Sequence, residues 1–199
     1  MDINLYKKYD PIKHLNVSRE TCIELESLIS MILNENGKIN IISKKILNEE
    51  GLRQRHIIDS AQAIDFVNLN SNTTYDLGSG AGFPGLVIAI MVKNIKKNMK
   101  LVLYEKSYHK SQFLEIASKK LKLNTQVVQE DIFKKKGLKA GTIMSRAFKP
   151  LPVILDLINN NFKSYKNIIL FMGKSGHKIL NETLKKWDMK FIKKKKLNF

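Results

Sequence analysis

The chain has 199 residues and only one cysteine, Cys22. That excludes an internal disulfide framework and any cysteine-cluster metal site. The longest purely apolar run, Leu86 to Val92, is far short of a membrane span. The opening residues, MDINLYKKYDPIKHL, lack the apolar core of a secretory signal, so the cytoplasm is the expected location. No Pro- or Ser-rich linker divides the chain, and no repeat is visible. No Ser/His/Asp or Cys/His arrangement stands out, so nothing in the sequence calls for nucleophilic catalysis. Arginine is scarce, at positions 19, 53, 55 and 146 alone.

What the chain has in excess is lysine. The formal net charge is +17, and it is unevenly spread. Residues 1–60 hold nine basic and nine acidic side chains, residues 61–130 nine and five, and residues 131–199 seventeen and four. A general drift in composition would spread the excess evenly. A skewed field points instead to a polyanionic partner, with nucleic acid the leading candidate.

The texture changes near residue 70. Before it, the spacing predicts helices. Ser18 is placed to cap a helix with an apolar stripe of Ile23, Leu25, Leu28, Ile29 and Ile32, ending at Asn34–Gly37. A second helical region carries Leu47, Leu52, Ile57, Ile58, Ala61, Ile64 and Val67. After residue 70, strands are predicted at 74–77, 100–105, 125–130, 142–147 and 167–173. Helices are predicted at 85–95, 108–121, 150–162 and 178–187. MKFIKKKKLNF, the last eleven residues, reads as an edge strand guarded by lysines. This alternation predicts an α/β fold with a doubly wound, mostly parallel sheet. We expect a helical N-terminal segment, residues 1–70, forming a cap on the substrate side. A Rossmann-like domain fills residues 71–199.

The densest signal is YDLGSGAGFPG, residues 75–85. Gly80-Ala-Gly82-Phe-Pro-Gly85 fits the dinucleotide pattern, and Glu105 lies where an acid would bind a ribose. The same loop also reads as Asp76-x-Gly78-x-Gly80-x-Gly82, the pattern of S-adenosylmethionine-dependent methyltransferases. A pyrophosphate needs free N–H groups at a helix start. S-adenosylmethionine has no phosphate but carries a sulfonium and an ammonium. An acid at the strand end suits those cations and sits badly beside a pyrophosphate, so Asp76 favours the methyl donor. The alternative for Asp76 is a turn cap. Glu105 ends the second strand and can accept from both ribose hydroxyls of either cofactor. Glu130 and Asp131 end the third, where the adenine edge would lie or where they are ordinary turn residues.

RHIIDS (55–60), DLGSGAGFPG (76–85), LYEKSYHKSQFLEIASKKLKL (103–123) and SRAFKPL (145–151) together carry a resemblance. Over roughly residues 35–175 the chain resembles the bacterial guanine-N7 methyltransferases of small-subunit ribosomal RNA, also called the glucose-inhibited division protein B family. The resemblance implies a class I, Rossmann-like methyltransferase fold. It implies S-adenosyl-L-methionine as cofactor and N7 of a guanine in the 530-loop region of 16S ribosomal RNA as target. It implies that Gly78 and Phe83 line the cofactor, that Glu130 and Asp131 flank the adenine, and that Arg146 reaches into the pocket. Asn40, Arg55 and His56 would face the cleft from the N-terminal segment. The family's sheet usually finishes with a further antiparallel strand, and this chain stops at KKLNF.

Such an enzyme needs no general base, because guanine N7 exposes a lone pair without losing a proton. Arg146 is then the candidate catalytic group, on guanine O6 or on a phosphate. Its structural alternative is an ion pair with Asp131 or Glu105. Arg55 is spaced to pair with Asp59 on one helix face. We expect a monomer that needs neither metal nor membrane and acts on 16S rRNA or the small subunit. The rival readings are the same fold acting on another RNA, a protein or a small molecule, a non-enzymatic RNA-binding module, and a nucleotide-dependent oxidoreductase. Bound ligand raises apparent stability. In a thermal-shift comparison, S-adenosylhomocysteine is therefore expected to raise the Tm and NAD to leave it unchanged. A shift with NAD alone sinks the cofactor assignment.

Overall fold

The computed structural model describes residues 3–43 and 48–194. Among them a five-stranded sheet is built from β1 (Thr73–Leu77), β2 (Lys100–Tyr104), β3 (Thr125–Val128), β5 (Thr142–Arg146) and β7 (Asn167–Phe171). Its order is β3-β2-β1-β5-β7, and every neighbouring pair is parallel. Two short strands, β4 (Leu138–Lys139) and β6 (Phe162–Ser164), pair separately. The sequence does not announce them, since two or three residues carry no readable alternation.

The sheet is buried on both faces, as an all-parallel sheet must be. Leu101, Leu103 and Met144 face one side, under α5 (Gly85–Val92) and α6 (Tyr108–Lys120). Leu77, Val102, Tyr104 and Ile143 face the other, against Ile154, Leu157 and Ile158 of α7 (Leu151–Asn161). The face of Phe113, Leu114, Ala117 and Leu121 on and just past α6 is buried. Helix α5 is apolar all round because it is covered all round, by the sheet below and N-terminal helices above. From β1 the chain winds outward through β2 to β3, then crosses to β5 on the other side of β1. That reversal opens a crevice at the carboxyl ends of the strands.

The N-terminal segment begins with α1 (Ile3–Lys7) and a 3-10 turn, Asp10–Leu15, then α2 (Arg19–Asn36). Ser18 caps α2 as expected, its Oγ accepting the Thr21 N–H at 3.2 Å. Ile23 departs from the predicted stripe, being 43% exposed, and Cys22 takes the buried place beside Leu25, Leu28, Ile29 and Ile32. Burial pushes the Cys22 thiol up to about 11, which leaves it unreactive. The second helical region changes pitch three times. It runs from α3 (Glu49–Leu52) through a π-helical turn, Arg53–Ile58, into α4 (Asp59–Ala61) and a 3-10 turn, Gln62–Phe66. The expected Leu47 lies outside the described residues. The helical segment and α5–α6 share one apolar cluster.

At the C-terminal end, α8 spans Gly176–Thr183, and residues 187–194 form no strand. The described part of the expected edge strand instead turns back. Lys194 Nζ meets Asp65 Oδ2 at 2.6 Å and lies 5.6 Å from the Phe66 ring centroid. Residues 195–199 lie outside the described residues. No helix among the described residues is long and apolar enough to cross a membrane.

One buried cation ties the N-terminal elements together. Arg53 grips both carboxylate oxygens of Glu26 at 2.7 Å, and the Tyr9 hydroxyl donates to the same carboxylate at 2.8 Å. Replacing Arg53 with Met leaves Glu26 without its cation. Loss of one partner of a buried pair costs several kcal/mol, so urea unfolding should show a loss of about 3 kcal/mol. Glu50→Gln removes a partner whose side chain is 60% exposed and should cost less than about 1 kcal/mol. Equal losses would show that the network carries no special weight.

Candidate active site

Most N–H groups of the loop between β1 and α5 have acceptors within the protein. Gly78 and Ser79 donate their N–H groups to the Tyr104 carbonyl at 2.9 and 3.0 Å. Gly82 and Phe83 donate to the Ser79 carbonyl, and Leu86 to that of Gly82. Gly85 donates to Asp76 Oδ2 at 3.0 Å. Two glycines are required by contact. A Cβ on Gly78, whose φ is +74°, would lie 2.3 Å from the Phe148 ring. One on Gly85 would lie 2.5 Å from Asp76 Oδ2.

This geometry corrects the reading of Asp76. In the pleat it pairs with Leu103 and Met144, which face α5. Its side chain is wholly buried behind the loop and does not line the cleft. It caps the start of α5, which was the alternative reading. Burial, opposed by the Gly85 N–H among other contacts, raises its carboxyl to about 7. Oδ1 has no hydrogen-bond partner. The preference for the methyl donor survives for a different reason: the N–H groups of Gly80, Gly82, Phe83, Gly85 and Leu86, which a pyrophosphate would use, already have acceptors.

The crevice holds a cleft of about 460 Å³. Gly78, Gly80, Phe83, Glu105, Glu130, Asp131, Arg146 and His56 line it. Gly82 does not, and neither do Asn40 and Arg55, both exposed elsewhere. Arg55 contributes its carbonyl instead, which accepts from Arg146 Nη2 at 2.7 Å. Asp59 pairs with Arg146 and not with Arg55: Nη1 and Oδ2 lie 2.7 Å apart. Arg146 forms no ion pair with Asp131 or Glu105 within the described residues.

Glu105 is fixed by two N–H groups, from Ser107 at 2.8 Å and Gly80 at 2.9 Å. Its remaining lone pairs suit a diol. Beside it, the Cα of Gly80 opens on free space, its nearest neighbour 3.9 Å from a built Cβ. A carboxylate acceptor over bare backbone fits the ribose of an adenosine and supplies no cation for a pyrophosphate. Asp131 Oδ1 accepts the Phe133 N–H at 3.1 Å, which holds its carboxyl below the usual range. Lys135 pairs with Glu130, and Lys106 lies 3.4 Å from Asp131. The Phe83 ring, buried, stacks on His56 with centroids 4.7 Å apart and 25° between planes.

Sequence reasoning missed several cleft residues. Phe148 covers Gly78 and lines the cleft, next to Ala147 at φ +50°. Phe133 and Lys149 line it too. Asn161, buried at the end of α7, donates to the carbonyls of Ile132 at 2.8 Å, Phe133 at 3.3 Å and Lys135. It fixes the loop after Asp131, and nothing local in the sequence announces that. Among the described residues no cluster of three His, Cys, Asp or Glu is placed to hold a metal ion.

A parallel sheet with its crevice beside β1, a glycine loop and Glu105 facing the cleft define an S-adenosyl-L-methionine-dependent methyltransferase. The solved structure of a SAM-dependent O-methyltransferase from Thermotoga maritima superposes with a TM-score of 0.50, over 79% of this chain and 54% of that one. At 19% identity that likeness shows the fold alone. The family is given by sequence: residues 21–199 match the model of the GidB family, rRNA small subunit methyltransferase G, and the chain belongs to it. It is 58% identical to the ribosomal RNA small subunit methyltransferase G of Pelagibacter ubique, over 97% of this chain and 91% of that protein. It is 34% identical to that of Ruegeria pomeroyi, over 89% and 85%.

Asp76 titrates far above its ordinary value of 3.8 in the folded protein. Between about pH 4 and 7 the unfolded chain therefore loses a proton that the folded chain keeps. Stability falls across that window and the penalty is constant above it. Asp76→Asn keeps an oxygen for Gly85 and removes the titration. Its stability relative to wild type, measured by urea unfolding without cofactor, should rise by about 2–4 kcal/mol from pH 4 to pH 7. A flat difference would show that Asp76 is ionised throughout.

Proposed function

We propose that this chain transfers the methyl group of S-adenosyl-L-methionine to N7 of a guanine in the 530-loop region of 16S ribosomal RNA. It acts as a cytoplasmic monomer on the small subunit or its RNA. The observation that carries this reading is the family match across residues 21–199, which spans every element that builds the cleft. The relatives from Pelagibacter ubique and Ruegeria pomeroyi are named as ribosomal RNA small subunit methyltransferases.

When bound, the cofactor supplies an electrophilic methyl group on a sulfonium. The chain's residues then have to hold and orient two partners. Glu105 receives the ribose hydroxyls, and Glu130 and Asp131 flank the adenine. Gly78 and Gly80 let the ligand lie against backbone, and Phe83 with His56 forms a flat aromatic wall. Arg146 reaches the guanine O6 edge or the neighbouring phosphate. Lys106, Lys110 and Lys149 line the cleft and are placed for RNA phosphates. Residues 1–70 act as the cap on the substrate side, with Asn40 and Arg55 exposed for RNA. Because N7 attacks through an existing lone pair, the work is alignment and charge stabilisation rather than proton transfer.

The test is transfer of labelled methyl to unmodified small subunits, free 16S rRNA and bulk protein, with N7-specific strand scission to locate the mark. One cut at a 530-loop guanine is expected. RNA affinity should fall steeply with salt, roughly tenfold or more between about 50 and 200 mM, as phosphate contacts require. Label in protein, or in no macromolecule although cofactor binds, overturns the substrate assignment.

A further inference from the structure

Asp59 has no role in the guanine-N7 reading, yet its carboxylate lies 2.7 Å from Arg146, the one arginine that lines the cleft among the described residues. We propose that Asp59 is a positioning residue for methyl transfer. It holds the Arg146 guanidinium in the cleft and balances its charge as the target base becomes cationic. The proposal rests on the guanine-N7 reading and assigns the partner that reading leaves open.

The guanidinium is held from three elements. Asp59, the first residue of α4, meets Nη1 at 2.7 Å, with side-chain exposures of 17% for Arg146 and 14% for Asp59. The Arg55 carbonyl, in the π-helical turn, accepts from Nη2 at 2.7 Å. The Phe171 ring at the end of β7 lies below it, 5.2 Å from Cζ to centroid. The hydrogen bond to the Arg55 carbonyl orients the guanidinium, the Asp59 carboxylate pairs with its charge, and the Phe171 ring lies against its face. A long side chain so held loses little further freedom on meeting substrate, which is the condition for orienting a base. The π turn ends at Ile58, the residue before Asp59.

The charge argument is independent of the geometry. In this reaction the sulfonium loses a positive charge and the guanine ring gains it. An unpaired arginine beside the ring would repel that charge and oppose the transition state. A carboxylate in contact with the guanidinium removes most of the repulsion while leaving its N–H donors in place. Asp59 thus acts on the rate and not on capture of RNA, which the cleft lysines serve.

The experiment measures methyl transfer to small subunits at saturating cofactor for wild type, D59N, D59E, R146Q and the D59N/R146Q double variant. D59N is expected to lower kcat by about tenfold or more with KM for RNA within about threefold, since the lost interaction matters in the transition state. D59E should recover part of the rate. The double variant should be no slower than R146Q alone, because coupled residues are not additive. A D59N enzyme at the wild-type rate overturns the proposal, and so does a double variant slowed by the product of the two single effects. If D59N fails to fold, D59E decides: a rate well above that of R146Q supports the clamp, and a rate equal to it overturns the clamp. A wild-type protein that labels no guanine overturns the functional reading and takes the clamp with it. A wild type that labels the guanine beside an unimpaired D59N sinks the clamp alone.

Discussion

A single hydrogen bond, from the Gly85 N–H to Asp76 Oδ2, closes the glycine loop against the start of α5. A carboxylate buried at the centre of a sheet is costly. Here the positive end of a helix and one N–H offset part of that cost. The close approach needs Gly85, which has no Cβ to strike the carboxylate. With the loop closed, Gly80 points its N–H at Glu105, and Phe83 lies flat on His56. The cofactor side and the substrate side of the cleft are therefore set from one point.

The N-terminal helices complete the site rather than decorate it. Within RQRHIID, Arg53 turns inward to Glu26, His56 lies on Phe83, and Asp59 meets Arg146. Three directions within seven residues fit a π-helical turn, whose added residue rotates the helix beyond it. The buried Arg53 cluster fixes the inner side of this turn, so the outer side can present His56 and Asp59 in register with β1 and β5. Because α2 and α5 pack within a shared apolar cluster, the segment cannot drift from the sheet without exposing that cluster.

The sheet strands and their helices were legible because a parallel sheet imposes alternation at a scale the sequence displays. Glu105 was legible because the loop before it is. Asp76 was recognised as essential to the loop but given the wrong direction. Sequence shows that an acid ends the strand, whereas pleat parity relative to Leu103 and Met144 decides which face it takes. Ile23 fell off the buried stripe because neighbours on a helix differ by a rotation that a few apolar residues do not resolve. The structural alternative for Arg146 was an ion pair with a carboxylate of its own domain, whereas its partner comes from the N-terminal segment. Asn161 gave no signal, since what it holds is three backbone carbonyls whose approach only the tertiary fold creates.

The cleft has to accept a cationic cofactor and a polyanionic substrate side by side. It does so by sorting charge. Glu105, Glu130 and Asp131 lie together just past β2 and β3. Lys106 and Lys149, both exposed, supply positive charge where RNA must arrive. Lys106 and Lys135 temper the acids without cancelling them. Between the two fields lies Arg146, at the end of β5. An uncompensated arginine there would repel the cofactor first and the methylated base afterwards. Paired with Asp59, it keeps donors for the base while adding little net charge to the line of transfer. A lysine-rich genome can change the outer surface freely, but this division inside the cleft has to be kept if both partners are to meet in it.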